Sequence, residues 1–573
     1  MIIIGIFGPG PNPSAALLIN GQIIAWAEEE RFNRIKTAPN SLPVKSIKWC
    51  LDYADINLDS VDKIAYGWDC PNYITETKEF FKFQREKFRD KSLYNSLQED
   101  LLLNLYHPDR IQYQLQLSLG KLSISHNIPE VVFYKHHDCH VASAFYSSGF
   151  DEANVLSLDG SGEEVSTLLC YANNDKIEVI KSFTLPDTLG GFYATFTEFL
   201  GFRAYHDEGK VMGLASYGKY RQDLQKKLDE FIPFDPSTGE FSINPRLRYV
   251  GSHTFGSRYT DEFVEIFGKP REDESPLEPK YADLAYALQY RLENITNALV
   301  NWLYQQTGSR NICLAGGVAM NCVMNGKISQ LECVENIYVQ PASSDNGVSL
   351  GAAQLLNKQE GLHKNKKMNH AYWGPEFSDY EIIQAINEAK LSYRKSKNIC
   401  KEIAQKINDG KIIGWFQGRM EVGARALGNR SILASPLIND MKDKINLEVK
   451  HRENWRPFCP SIKEEAYDKY IDSTADSPYM IMAFPVRKEF RSIIPAVVHV
   501  DGTARPQAVN KKYNPRFWGL LNEFEKLTNH PVLVNSSFNI QGEPIVCSPS
   551  DALRTFGGTG LDVLVIGDFI LEK

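Results

Sequence analysis

At 573 residues the chain is too long for one ordinary hydrophobic core, so at least two domains are expected. A hydrophobic share of 43% with 23% charged residues is that of a soluble globular protein, and no apolar run approaches the roughly 20 residues that span a bilayer. The net charge of −8 argues against a general nucleic-acid binder, which carries a basic excess. The cysteines are scattered and none forms a C-x-x-C pair, which leaves reduced, buried thiols in a cytoplasmic protein as the reading.

In chain order, Met1 to Phe7 reads as a buried strand rather than a signal peptide. Gly8 to Pro13 is a turn, Ser14 to Ile19 a second strand, and Asn20-Gly21 a hairpin turn into Gln22 to Ala27. Residues 90–125 carry helical periodicity and read as an insertion. His136 to Phe150 reads as a helix. Val155 to Leu158, the turn Asp159-Gly160-Ser161-Gly162, and Ser166 to Tyr171 repeat the strand–glycine turn–strand unit, and Lys176 to Phe183 follows. Two such units predict a duplicated α/β sheet whose turns face a cleft and hold phosphate through backbone N–H groups. Lys280 to Thr307 predicts a long helix leading into the strand Ile312 to Leu314 and the turn Gly316-Gly317. That turn, with Asn321 just beyond it, reads as a nucleotide contact, although close packing is the commoner fate of a glycine pair. A polar stretch after Gly351 marks a linker at 356–370, between a domain at 1–355 and another at 371–573.

Chemistry concentrates in a few places. On a helix, His136 and His140 stand one turn apart on one face, and the acidic turns at 159 and 345 offer carboxylates for a divalent-metal site of N/O type. His137 points about 100° away, as a supporting or acceptor-pocket group. Lys210, after Glu208-Gly209, reads as a contact to phosphate or acceptor, or as a packed loop lysine. Lys450, Arg452 and Arg456 sit among Trp455, Pro457 and Phe458, where a buried cation is costly without an anion.

Nine motifs in fixed order carry a resemblance: HHDCH (136–140), DGSGE (159–163), EGKVMGLASYG (208–218), LAGGVAMN (314–321), SSDNG (343–347), GARALGNRSILASP (423–436), RENWRPFCPSI (452–462), DGTARPQ (501–507) and NSSFNIQGEPIV (535–546). Over nearly its whole length the chain resembles the NodU/CmcH-type carbamoyltransferases. The resemblance implies an ASKHA domain (actin, chaperone-ATPase and sugar-kinase-like, of the threonylcarbamoyl-transferase type) followed by a YrdC-like α/β domain. It implies that the YrdC-like domain makes carbamoyl adenylate from carbamoyl phosphate and ATP, with Mg, and that the ASKHA domain transfers the carbamoyl group to a hydroxyl or amine of a small-molecule acceptor. His136, His140, Asp159 and Asp345 would hold the metal, Fe(II) by resemblance, with Mn, Zn or Co also suited to the donors. Gly160, Gly162, Gly316, Gly317 and Asn321 would line the first nucleotide pocket. Arg425, Lys450, Arg456, Arg505, Asn535 and Ser537 would hold carbamoyl phosphate and ATP, with His137, Lys210, Arg425 and Arg456 in catalytic roles.

The first hairpin departs from the family, reading Pro11-Asn12 where members carry His-Asp, and His137 or His206 could supply that function. Rival readings are a tRNA threonylcarbamoyl-transferase-like enzyme and a nucleotide-binding scaffold with a decayed transfer site. No membrane or nucleic-acid partner is expected, and a homodimer is compatible with the sequence.

Overall fold

The structure, a computed structural model, describes residues 1–87, 103–248, 257–273, 275–363, 366–473 and 475–573. The chain forms two compact units, Met1–Ile24 with Asn40–Lys367, and Ala25–Pro39 with Met368–Lys573. Among the described residues no helix is long and apolar enough to cross a membrane.

In the first unit, β1 (Ile2–Phe7), β2 (Ser14–Ile19) and β3 (Gln22–Glu28, which from Ala25 on is counted with the second unit) are consecutive neighbours. β4 (Lys63–Tyr66) and β5 (Glu130–Phe133) add in parallel beyond β1, giving the order β3-β2-β1-β4-β5. After α1 (His136–Ser148), the pattern returns. β6 (Glu152–Leu158), β7 (Val165–Asn173) and β8 (Ile177–Thr184) form the meander, while β9 (Asn311–Ala315) and β10 (Asn336–Val339) extend it in parallel, in the order β8-β7-β6-β9-β10. The same strand order appears twice, as expected for a duplicated α/β sheet. β1 is buried along nearly its whole length and is apolar on both faces, the mark of a strand covered on two sides.

The long helix α2 (Pro279–Thr307) opens on proline and closes on Gly308 at φ 75°, as helix ends favour. α3 (Val348–Gln359) packs against α1 and β1 at backbone distance. A Cβ on Gly351 would fall 1.8 Å from the Cys139 carbonyl oxygen, and one on Gly5 would fall 1.9 Å from that of Ser349. These contacts fix the first turn of α1, which carries the histidines.

The second unit is built on an eight-stranded mixed sheet. Its strands are β11 (Arg394–Lys395), β12 (Ile413–Phe416), β13 (Arg430–Ala434), β14 (Cys459–Lys463), β15 (Gln507–Val509), β16 (Val532–Ser537), β17 (Val563–Ile566) and β18 (Phe569–Glu572). They lie in the order β11-β18-β17-β12-β13-β16-β14-β15. Helices Ile399–Asn408 and Pro515–Thr528 cover one core, with Trp415, Phe517 and Phe524 at its centre.

The linker expected at 356–370 differs from the structure in two ways. α3 runs on through Gln359, because Leu356 and Asn357 are buried and keep the helix docked. The segment Ala25–Pro39, read as part of the domain at 1–355, belongs to the second unit, held there by ion pairs and backbone hydrogen bonds described below. The insertion expected at 90–125 lies partly outside the described residues; its described portion includes the helix Pro108–Leu119.

Candidate metal centre and anion site

α1 begins at His136, so its first turn places His136 and His140 on one face. Both are buried, and their Nε2 atoms lie 3.1 Å apart. Asp159, at the end of β6, and Asp345, just before α3, close the group. The Asp159 Oδ2 is 3.0 Å from His140 Nε2 and 3.5 Å from His136 Nε2, while Asp345 Oδ1 is 3.6 and 3.8 Å from His136 and His140. The four donor atoms lie within 4.8 Å of one another. Two bonds of about 2.1 Å meeting at a metal ion at tetrahedral or octahedral angles separate their donor atoms by roughly 3.0–3.5 Å, so the donor set fits a divalent ion.

The electrostatics agree. Burial opposes a charged His136, yet hydrogen bonds and charges from Asp159 and Asp345 lift it to about 10. Burial and the Asp159 charge raise Asp345, so the pocket holds its second carboxylate reluctantly without a cation. Burial, then His136 and His140, push His137 down to about 3; it is neutral, with Nδ1 2.8 Å from the Ser157 hydroxyl. Glu163, a residue of the DGSGE motif to which sequence reasoning gave no role, accepts the backbone N–H of His136 at 3.2 Å and of Asp69 at 2.8 Å. It ties the start of α1 to the loop after β4. Phe7 and Trp68 flank the His136 ring, each with centroids 5.2 Å away.

The glycine turns behave differently from expectation. Gly160 and Gly317 donate their amides to Asp159 Oδ1, at 2.7 and 3.2 Å. Gly316 donates to Ser343 at 2.7 Å, and Gly162 donates to Val165 at 2.7 Å. A Cβ on Gly162 would meet the His137 ring at 2.8 Å, and one on Gly316, at φ +88°, would meet the Leu158 carbonyl at 2.2 Å. All four amides have partners within the protein, and those of Gly160 and Gly317 aim the Asp159 carboxylate. Asn321 is likewise engaged, as the cap accepting the Met324 N–H at 3.0 Å and as a partner of Gln289. Lys210 pairs with Asp207 at 3.2 Å.

In the second unit the sheet register brings the remaining candidates together. Asn535 on β16 lies opposite Cys459 on β14. Its side-chain amide donates to Ala426, Ser461 and Gln507, which turns it toward the loop under Arg425. Lys450 is buried, and its ammonium donates to Ser537 and, at 3.0 and 2.9 Å, to the carbonyl and side chain of Asn539. Burial holds its pKa well below the usual lysine value, and Arg452, Arg456 and Lys36 lower it further. Burial and Arg456 bring Arg452 down to about 9. Arg505 donates to the Cys459 sulfur from Nε and Nη2, at 3.2 and 2.9 Å. Glu453 stands 3.9 Å from Arg456, the far limit of an ion pair. Like charges gathered at low exposure are stable only with an anion among them. Lys36 and Asn539 are additions to the residues read from sequence. Lys36 was legible only by knowing that a segment near the start of the chain folds into this unit.

Fold and site define an α/β enzyme with a two-histidine, two-aspartate pocket in one unit and a cationic pocket in the other. Residues 10–354 match the family described as Carbamoyltransferase N-terminus, and residues 404–573 match Carbamoyltransferase C-terminus; the chain belongs to the carbamoyltransferase family. It is similar to the nodulation protein NolNO of Sinorhizobium fredii, 36% identical over 569 residues, which cover 98% of this chain and 78% of the relative. It is also similar to an uncharacterized protein of Synechocystis sp., 36% identical over 607 residues, covering 100% of this chain and 96% of the relative. Among solved structures, HypF of T. kodakarensis aligns with a TM-score of 0.33 at 12% identity, over 64% of this chain and 48% of that one.

Proposed function

We propose that this carbamoyltransferase works in two steps, adenylation in the second unit and transfer in the first. In the second unit, water releases phosphate from carbamoyl phosphate. The carbamate oxygen then attacks the α-phosphorus of ATP, bound with Mg, and pyrophosphate leaves. In the first unit, a hydroxyl or amine of a small-molecule acceptor attacks the carbonyl carbon, AMP departs, and the acceptor loses a proton. What supports this reading is the gathering of charge: the buried Lys450 with the partly buried Arg452 and Arg456 in one unit, and a buried group of two histidines and two aspartates in the other.

Arg456, Arg505 and Arg425 are suited to hold phosphate oxygens through their forked donors, and Lys450, fixed by Ser537 and Asn539, adds a point charge. Lys36, half-exposed and 3.9 Å from Glu30, adds a weaker positive field at Lys450. In the first unit, His136, His140, Asp159 and Asp345 would hold a divalent metal, Fe(II) in our reading, which supplies Lewis-acid polarisation of the carbamoyl oxygen. Gly160 and Gly317 keep Asp159 aimed inward, and Glu163 fixes the backbone at His136. His137, pushed down to about 3 chiefly by burial, is too weak a base to take the acceptor's proton and is suited instead to a hydrogen-bonding role beside the metal group.

The test is release of pyrophosphate and AMP by the purified protein given ATP and carbamoyl phosphate, without and then with candidate acceptors. Carbamoyl-phosphate-dependent pyrophosphate release is expected, and it is lost in Arg456→Ala. No pyrophosphate under any condition refutes the adenylation step.

A further inference from the structure

Residues Ala25–Pro39 belong to the second unit although they come from the start of the chain. At the centre of this strap are four buried charges, Glu28, Glu29, Glu30 and Arg31, each no more than 5% exposed. Arg31 donates to Glu28 at 3.1 Å and to Glu30 at 2.6 Å, which leaves one further use for its fork. It donates from Nη2 to the Gly423 carbonyl at 2.8 Å, across 392 residues of sequence. Glu28 completes the grip by accepting the Gly423 N–H at 2.8 Å. Both backbone groups of one residue are thus held by one ion pair. Gly423 lies at φ +92°, in the left-handed region, so the chain reverses there.

Gly423 opens the loop that carries Arg425. The far end of that loop is fixed by the Glu421 carboxylate, which accepts the N–H groups of Leu427, Asn429 and Arg430 at 2.7, 2.7 and 3.2 Å. The strap also grips the opposite side of the cationic pocket. Arg34 donates to the carbonyls of Pro544 and Ile545 at 2.9 and 2.7 Å. One residue before these, the Glu543 carbonyl accepts the side-chain amide of Asn539, the residue that holds Lys450. An apolar pair in place of Glu28 and Arg31 would fill the same space but leave the Gly423 N–H and C=O buried without partners. Charge is needed here for direction, since a buried ion pair roughly balances its own desolvation.

We propose that Glu28 and Arg31 are positioning residues of the anion site in the second unit, fixing the turn at Gly423 and hence the placement of Arg425. This rests on the adenylation reading. The test uses the full-length protein and follows carbamoyl-phosphate-dependent pyrophosphate release in Arg31→Met, Arg31→Lys and Glu28→Gln. The expected result is a KM for carbamoyl phosphate raised about 10- to 100-fold in Arg31→Met, the cost of a small misplacement at a reacting centre, with partial recovery in Arg31→Lys and metal content unchanged. If Arg31→Met fails to fold, Arg31→Lys and Glu28→Gln carry the same expectation of a raised KM. An unchanged KM, with or without a lower melting temperature, overturns the proposal. Calorimetric binding of inorganic pyrophosphate reads the site without turnover. A wild type that binds pyrophosphate but releases none from ATP refutes the adenylation reading alone; the clamp then stands if the variants bind more weakly and falls if they bind equally. A wild type that neither binds nor turns over overturns both.

Discussion

Lys450 is a cation surrounded by cations, and that makes its proton a reporter. Its pKa is depressed by burial and by Arg452, Arg456 and Lys36, so an arriving anion raises it again. Binding of carbamoyl phosphate is therefore expected to take up protons over the pH range between the depressed and restored values. Affinity falls as pH rises through that range, because the ligand prefers the protonated lysine. Calorimetry in two buffers of different ionisation enthalpy measures the uptake; its absence means that Lys450 does not face the ligand. His140 gives the opposite kind of test. Its Nε2 meets His136, Asp159 and Asp345 at once, and His140→Ala removes one of four donors. Bound metal, measured by elemental analysis after dialysis, is expected to drop below stoichiometric while pyrophosphate release continues. Loss of pyrophosphate release together with the metal would refute the proposed division of labour.

The elements explain what the sequence did and did not disclose. β2 is read in full from its apolar run and its Asn20-Gly21 turn, because local chemistry sets both ends. The histidine pair is equally plain: helical spacing alone puts His136 and His140 on one face. The partners of the Gly160, Gly162, Gly316 and Gly317 amides are not, since a glycine turn that offers N–H groups to phosphate and one that spends them on an aspartate or a backbone carbonyl have the same spelling. Arg430 illustrates the same limit. Nothing in Gly428, Asn429 or Ser431 beside it signals burial, yet it is fully buried, donates to the carbonyls of Gln417, Gly418, Asn429 and Pro375, and lies over the Phe416 ring at 3.7 Å. Only long-range packing decides that. The α1–α3 contact is a further case, and it is testable. Gly351→Ala places a Cβ 1.8 Å from the Cys139 carbonyl, a contact between two backbones with no flexible side chain to yield. It should destabilise the first unit by about 1–3 kcal/mol or more, seen as a lower thermal midpoint for that unit and as weakened metal binding. An unshifted midpoint would mean that the two helices separate freely.

Across the whole molecule, the two half-reactions should respond to different insults. With Mg kept in excess for ATP, a chelator selective for transition metals is expected to abolish carbamoyl transfer to the acceptor and leave pyrophosphate release intact, whereas high salt should weaken the half that depends on exposed parts of the cationic cluster. Transfer that survives complete metal removal, checked by elemental analysis, would exclude a role for the metal in that step.

The strap carries a lesson for anyone who recombines such genes. A crossover at the junction near residue 367 looks clean in sequence, because the second matched region begins well beyond it. It would nonetheless pair the catalytic loops of one parent with the Glu28, Arg31 and Lys36 of the other. A working chimaera needs three junctions, so that the stretch from 25 to 39 travels with its own C-terminal parent. Inheritance of the second half is therefore discontinuous along the chain, and the unit of exchange is a fold with an address in two places.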